Sequence, residues 1–326
     1  MRILFFITKR EYTTALSREK YNILKEFVKY HEVLITGEGY DGFIDPITSC
    51  NEFKPTHIIV RYPQNIQNFD KLPSNIPKIL WQNETYAISH FKDLLLKNHI
   101  NFVFHAYHIR KGSKDGELQR QMFEEFTKGN CDISWLHMPH YFNGSAPKLK
   151  KEYDILILGN MVTGMYPHRY RLKNLLLKHQ DIFKIKMRPH PSYTIQNSEK
   201  QYKDYLEEIS KARIVIGCTS IFNYMLEKLI EIPMANSIYA GDMPYMDIYG
   251  EEEKSHMINL NFFWDDEKIL KELKFWLENP EKLEEKSEKS HKFYKNKYNI
   301  DKGVTHLYNN LEFVSRNFRT NDGNTL

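Results

Sequence analysis

At 326 residues the chain is long for one hydrophobic core and suits two domains of about 150 residues each. Its 41% hydrophobic and 27% charged residues, with 21 Tyr and 20 Phe, exclude a disordered or fibrous chain. The net charge of +4 sits in the first half: residues 1–150 carry 20 Lys and Arg against 16 Asp and Glu, residues 151–326 carry 26 against 26. That excess suits an anionic acceptor or a membrane surface, but it is not the basic stripe of a dedicated nucleic-acid binder.

Cys50, Cys131 and Cys218 are too widely spaced for a disulfide or zinc framework and point to a reducing compartment. The first apolar run, Ile3–Thr8, is too short for a signal-peptide core, and no window approaches a membrane span of about 20 apolar residues. The expectation is a cytoplasmic protein without a transmembrane segment, with peripheral attachment to a membrane left open.

In chain order, Ile3–Thr8 is predicted as a strand and residues 16–30 as an amphipathic helix. Strands follow at Val33–Thr36, His57–Val60, Lys78–Trp81 and Phe102–Phe104, with a helix at 91–98 before the last. Short, unalternated apolar runs suit a parallel sheet buried on both faces, and their spacing suits a doubly wound order. The pattern lapses at Asn143-Gly144-Ser145-Ala146-Pro147 and restarts with a strand at Asp154–Gly159. A helix at 169–178, a strand at 183–187, a helix at 200–210 and a strand at 213–217 complete the second series. Residues 267–297 have the Lys/Glu spacing of exposed terminal helices, and 317–326 form a polar tail. The predicted fold class is α/β, with an N-terminal Rossmann-like domain at 1–147 and a C-terminal one at 148–316.

After the strand ending at Gly217, Thr219 or Ser220 is placed to cap a helix running to Glu231. Phe222, Met225, Leu226 and Leu229 fall at i, i+3, i+4 and i+7 on its inward face, with Ser220, Asn223, Glu227 and Glu231 on another. A helix start at the carboxyl edge of a parallel sheet attracts phosphate, and a carboxylate farther along accepts ribose hydroxyls. Gly159-Asn160 ends the first strand of the second series, where backbone approaches a diphosphate closely, and Arg169 follows one turn into the next helix. Arg188-Pro189-His190-Pro191 is a rigid loop after a strand, placing a cation and an imidazole toward a phosphate leaving group. In the first half, Glu84, His105 and His108 are candidates for a general base acting on an acceptor hydroxyl.

Lys228-x-x-Glu231, then Pro233-Met234-Ala235-Asn236, then Gly241-Asp242-Met243-Pro244 resembles the donor segment of group 1 glycosyltransferases. With Asp154, Ile155, Gly159, Tyr166, Pro167 and Arg169, residues 130–310 resemble the spore-maturation-type branch of that family. The resemblance implies a GT-B architecture, two doubly wound domains facing across a cleft. It further implies a nucleotide-sugar site that includes Lys228 and Asp242, and contact of Glu231 with the donor ribose. Asn236 stands where the family has Gly, and Asn223 where many members carry the first Glu of a Glu-x7-Glu pair. The Arg-Pro-His-Pro string also resembles the polyol-phosphate transferases of teichoic-acid synthesis.

The chain has no Asp-x-Asp, no GxxxxGK[ST], no HExxH, and no GxGxxG in the turn that directly follows the first strand. The expected activity is therefore metal-independent transfer of a sugar from a donor such as a UDP- or GDP-sugar, with no cofactor, to a glycan, lipid or protein acceptor. Catalytic roles fall to Arg188, His190 and Glu84; the donor falls to Gly159, Asn160, Arg169, Thr219, Ser220, Asn223, Lys228, Glu231 and Asp242. The alternatives are polyol-phosphate transfer on a GT-B-like fold and non-catalytic nucleotide binding. A DNA-modifying enzyme calls for a more basic first domain than this one.

Overall fold

Runs of four to seven residues rich in Ile, Leu, Val and Phe form the strands of two parallel sheets, in a computed structural model of the chain. It describes residues 1–9, 18–81, 88–106, 133–142, 146–189, 198–221, 226–243 and 251–318. The chain divides into two units. The first holds the described residues up to 106, with 133–139 and 300–318; the second holds those of His140–Asn299.

In the first unit β1 (Arg2–Phe6), β2 (Glu32–Thr36), β3 (His57–Val60), β4 (Lys78–Trp81), β5 (Phe102–His105) and β6 (Ser134–His137) pair in the order β2-β1-β3-β4-β5-β6. Every pairing is parallel. Helices α1 (Arg18–Phe27), α2 (Pro46–Phe53) and α3 (Ile88–Lys97) belong to this unit, and Asp45 caps α2 through the N–H groups of Ile47 and Thr48. Leu4, Phe6, Ile58, Val60, Leu80 and Val103 pack into one core cluster. Strands buried on both faces need such continuous apolar runs, which is why the sequence pattern revealed them.

The second unit has β7 (Tyr153–Gly159), β8 (Ile185–Pro189), β9 (Ala212–Ile216), β10 (Ile238–Gly241) and β11 (Ile258–Asn259), ordered β11-β10-β9-β7-β8 and all parallel. Its helices are α4 (Pro167–Leu177), α5 (Ser198–Ser210), α6 (Lys228–Met234), α7 (Glu251–Ser255), α8 (Asp266–Glu278) and α9 (Pro280–Lys297). Ile155, Ile157, Leu172, Leu176, Ile214 and Ile216 centre its core. Asn236 adopts φ 57, the left-handed turn expected where the family has Gly.

Two sequence expectations differ from these elements. The final helix α10 (Ile300–Asn317) groups with the first unit rather than with 148–299. It packs on α1; its Asn310 side chain donates to the His137 carbonyl at 3.0 Å, and its Ser315 hydroxyl lies 3.0 Å from His57 Nε2. An amphipathic helix advertises an apolar stripe, not the sheet that will cover it. Of the helix expected over 220–231, the described residues show helix only from Lys228 onward; Cys218–Ser220 belong to no helix or strand, and 222–225 lie outside the described residues. Among the described residues, no helix is long and apolar enough to cross a membrane.

Candidate donor site at the carboxyl edge of the second sheet

Ligands of open parallel sheets bind outside the carboxyl ends of the strands. In the second unit those ends carry Gly159, Arg188, Cys218 and Asp242. Gly217 and Gly241 bring two of these ends together. A Cβ on Gly241 would lie 1.5 Å from the Gly217 carbonyl oxygen, so no larger residue fits.

Gly159 takes φ +91, and a Cβ there would stand 3.0 Å from Lys228 Cε and 3.2 Å from an Arg169 guanidinium nitrogen. The bare backbone leaves room for both cations. Lys228 is the first residue of α6, and its ammonium lies over this turn. Burial first, and then the positive charge of Arg169, lower its pKa from 10.5. No carboxylate among the described residues reaches ion-pair distance of that ammonium. A desolvated ammonium without a counter-ion is poised to bind an anion.

Arg169 is 1% exposed and holds the floor of the turn instead of facing solvent. It donates to the Asn160 carbonyl at 3.0 Å and the Cys218 carbonyl at 2.9 Å, with the ring of Tyr166 4.2 Å below. Asn160 spends its side-chain oxygen on the Val162 N–H. Both residues shape the turn, and the Arg169 guanidinium, expected to meet phosphate oxygens, is spent on backbone carbonyls.

Thr219 also differs from expectation. Its N–H donates to Asp242 Oδ1 at 2.9 Å and its hydroxyl to Oδ2, so its polar groups are turned to a carboxylate from another strand end. Asp242 thereby ties the loop after β9 to the loop after β10, with Tyr239 OH on its own carbonyl at 3.1 Å. Ser220 is buried beside them.

Glu231 lies in the first turn of α6, in the same turn as Lys228. Glu231 is 8% exposed, and Tyr205 OH donates to its Oε2 at 2.9 Å. Tyr202 stacks on Tyr205 at 6.0 Å, both presented by α5, and burial followed by the Glu231 charge pushes both phenols well up. Arg188, half-buried at the end of β8, lies 5.8 Å from the Tyr205 ring and donates to the Asp204 carbonyl. His140 Nδ1 is 3.6 Å from Glu227 Oε1, one residue before α6. Sequence reasoning missed Tyr202, Tyr205 and His140. Tyr at i and i+3 of a helix reads as ordinary core, and His140 has no neighbouring signal.

His190, Glu84, Asn223 and His108 lie outside the described residues. His105 ends β5 in the first unit, in register with His137 and edge-on to Trp135 at 5.3 Å.

No protein-family model matches this sequence, and no curated protein matches it significantly. Solved structures do. An alpha-glucosyltransferase in complex with UDP and a 13-mer DNA is 11% identical over 96% of this chain and 100% of that one, TM-score 0.61. Anabaena Alr3699/HepE in complex with UDP and glucose is 8% identical, covering 96% and 99%, TM-score 0.61. T4 phage BGT in complex with its UDP-glucose substrate is 10% identical, covering 96% and 99%, TM-score 0.57. Matches over nearly the whole of each chain show the two-domain α/β fold of GT-B glycosyltransferases.

Proposed function

We propose that this protein is a glycosyltransferase that takes a sugar from a nucleoside-diphosphate donor, with the diphosphate over the Gly159 turn and no metal ion bridging its phosphates. One observation carries the reading: the half-buried Lys228 ammonium, without a carboxylate partner among the described residues, beside a glycine turn and in the same helical turn as Glu231. Cleaving the bond between the anomeric carbon and the phosphate oxygen develops negative charge on the departing nucleoside diphosphate. Lys228 meets that charge in a site where burial strengthens the interaction. Glu231 accepts hydrogen bonds from the ribose hydroxyls through the carboxylate oxygen positions that Tyr202 and Tyr205 leave open, and Arg169 keeps the loops after β7 and β9 in place. Arg188 acts from the Tyr205 side.

Three neighbours are described with UDP or UDP-glucose, which supports a UDP-sugar as the first donor to try. The Lys228-x-x-Glu231 segment supports assignment to the spore-maturation-type branch. The acceptor is a glycan, a lipid or a protein; because one neighbour is described with DNA, duplex DNA belongs in the same screen. A cytoplasmic location fits the cysteine pattern.

The experiment compares UDP-glucose with a UDP-glucose analogue lacking both ribose hydroxyls, on wild type and Glu231→Ala. Loss of a charged acceptor costs about 2–3 kcal/mol of affinity for the full donor and much less for the analogue. Equal losses would remove the ribose role.

A further inference from the structure

Beneath the Lys228 turn, three side chains of metal-binding type converge. His168 is the second residue of α4, Cys218 lies two residues past β9, and Asp242 follows β10 directly. A ring nitrogen of His168, the Cys218 Sγ and a carboxylate oxygen of Asp242 all lie within 4.8 Å of one another. His168 is 3% exposed and Cys218 1%.

The imidazole supplies a second, independent observation. His168 Nε2 lies 2.8 Å from the Leu260 carbonyl oxygen. A carbonyl only accepts, so Nε2 carries the proton and Nδ1 keeps its lone pair. Nδ1 is buried and has no hydrogen-bond partner. A buried acceptor left without a donor destabilises the fold. A histidine with one N–H fixed by a carbonyl and the other nitrogen open is oriented as metal-ligating histidines are. Asp242 is oriented too: Thr219 holds both of its oxygens, and each keeps lone-pair capacity.

We infer that His168, Cys218 and Asp242 bind one divalent cation of borderline softness, zinc first among them. One imidazole, one sulfur and one carboxylate are a zinc-type donor set, whereas calcium and magnesium call for several oxygens. Zinc bonds of about 2.0–2.3 Å put tetrahedral ligand atoms about 3.5 Å apart, so no pair needs to close by more than about 1.3 Å on binding. As the metal–sulfur bond forms, the Cys218 thiol gives its proton to solvent; nothing is oxidised or reduced. The cation ties the first turn of α4 to the loops after β9 and β10. These are the segments that Arg169 and Asp242 already join, and α4 carries Arg169 itself. Its place is the floor of the anion site rather than the phosphates, and its presence does not depend on the reaction proposed above.

The test uses tag-free, chelator-treated full-length protein titrated with Co²⁺ and then Zn²⁺. One equivalent of Co²⁺ should give a near-ultraviolet thiolate-to-metal band and the visible spectrum of a tetrahedral ion, and Zn²⁺ should erase both. Cys218→Ser should abolish the band and weaken zinc by about 100-fold, with His168→Gln weakening it in the same direction. Affinity should fall about tenfold for each pH unit of acidification below neutrality, because one thiol proton leaves on binding. Absence of the thiolate band from wild type would overturn the site. Zinc bound equally by wild type and both variants would overturn it as well, assigning the metal to surface histidines.

Discussion

Both units are parallel sheets wound in the same way, yet their carboxyl edges have different chemistry. In the first unit β5 and β6 end in His105 and His137, edge-on at 6.3 Å. In the second, glycines at 159, 217 and 241 let backbone, Arg169 and Lys228 crowd together. Topology alone places a ligand at either edge; the side chains and missing side chains at the strand ends decide what each edge binds. The proposed donor site therefore falls in the second unit, where Lys228 has no carboxylate partner among the described residues.

The largest effect should come from glycines that look alike in sequence. Gly241→Ala places a methyl group 1.5 Å from the Gly217 carbonyl, and should destabilise the protein by about 4 kcal/mol or prevent folding. Gly42 in the first unit has φ +77, but a Cβ there meets nothing within 4 Å. Gly42→Ala should cost only about 1 kcal/mol of backbone strain in denaturant unfolding. Similar losses for the two would deny the close approach of the β9 and β10 ends.

Acid sensitivity should map to the first unit. His57 is buried between the Thr56 and Ser315 hydroxyls, and burial lowers its pKa from 6.5 to about 4. Its neutral form is favoured in the fold, so its contribution is complete above pH 6.5 and is lost as pH falls toward about 4. That difference corresponds to about 3 kcal/mol. His57→Gln should flatten the fall of melting temperature across this range; an unchanged slope would place acid sensitivity elsewhere.

In the second unit Tyr205→Phe removes one hydroxyl from Glu231. It should weaken UDP-glucose by about fivefold, roughly 1 kcal/mol, and leave the analogue without ribose hydroxyls unaffected. Equal weakening of both ligands would mean that Tyr205 only packs.

The strands were legible because a sheet buried on both faces requires unbroken apolar runs, and β1, β3, β4, β7 and β9 have them. The Lys228-x-x-Glu231 segment was legible as a unit, but its geometry was not. Phe222, Met225, Leu226 and Leu229 satisfy the helical period, whereas Thr219, a residue expected to cap that helix, turns its N–H and hydroxyl to Asp242, 23 residues farther on. No local pattern reports a competing carboxylate from another strand. The same limit hid Tyr205 behind Glu231 and hid the Asn160 and Cys218 carbonyls that hold Arg169.

Calorimetric binding of UDP and of uridine to wild type and Lys228→Met tests the central claim most directly. Methionine keeps the length and removes the charge. Wild type should prefer UDP, and the variant should lose about 1.5–3 kcal/mol of that preference while binding uridine as before. Because burial lowers the Lys228 pKa, folding without ligand favours the neutral side chain, so the unliganded variant should melt no lower than wild type. The preference of wild type for UDP should fade as pH rises toward 10.5. An undiminished preference for UDP in Lys228→Met would contradict a diphosphate site over the Gly159 turn.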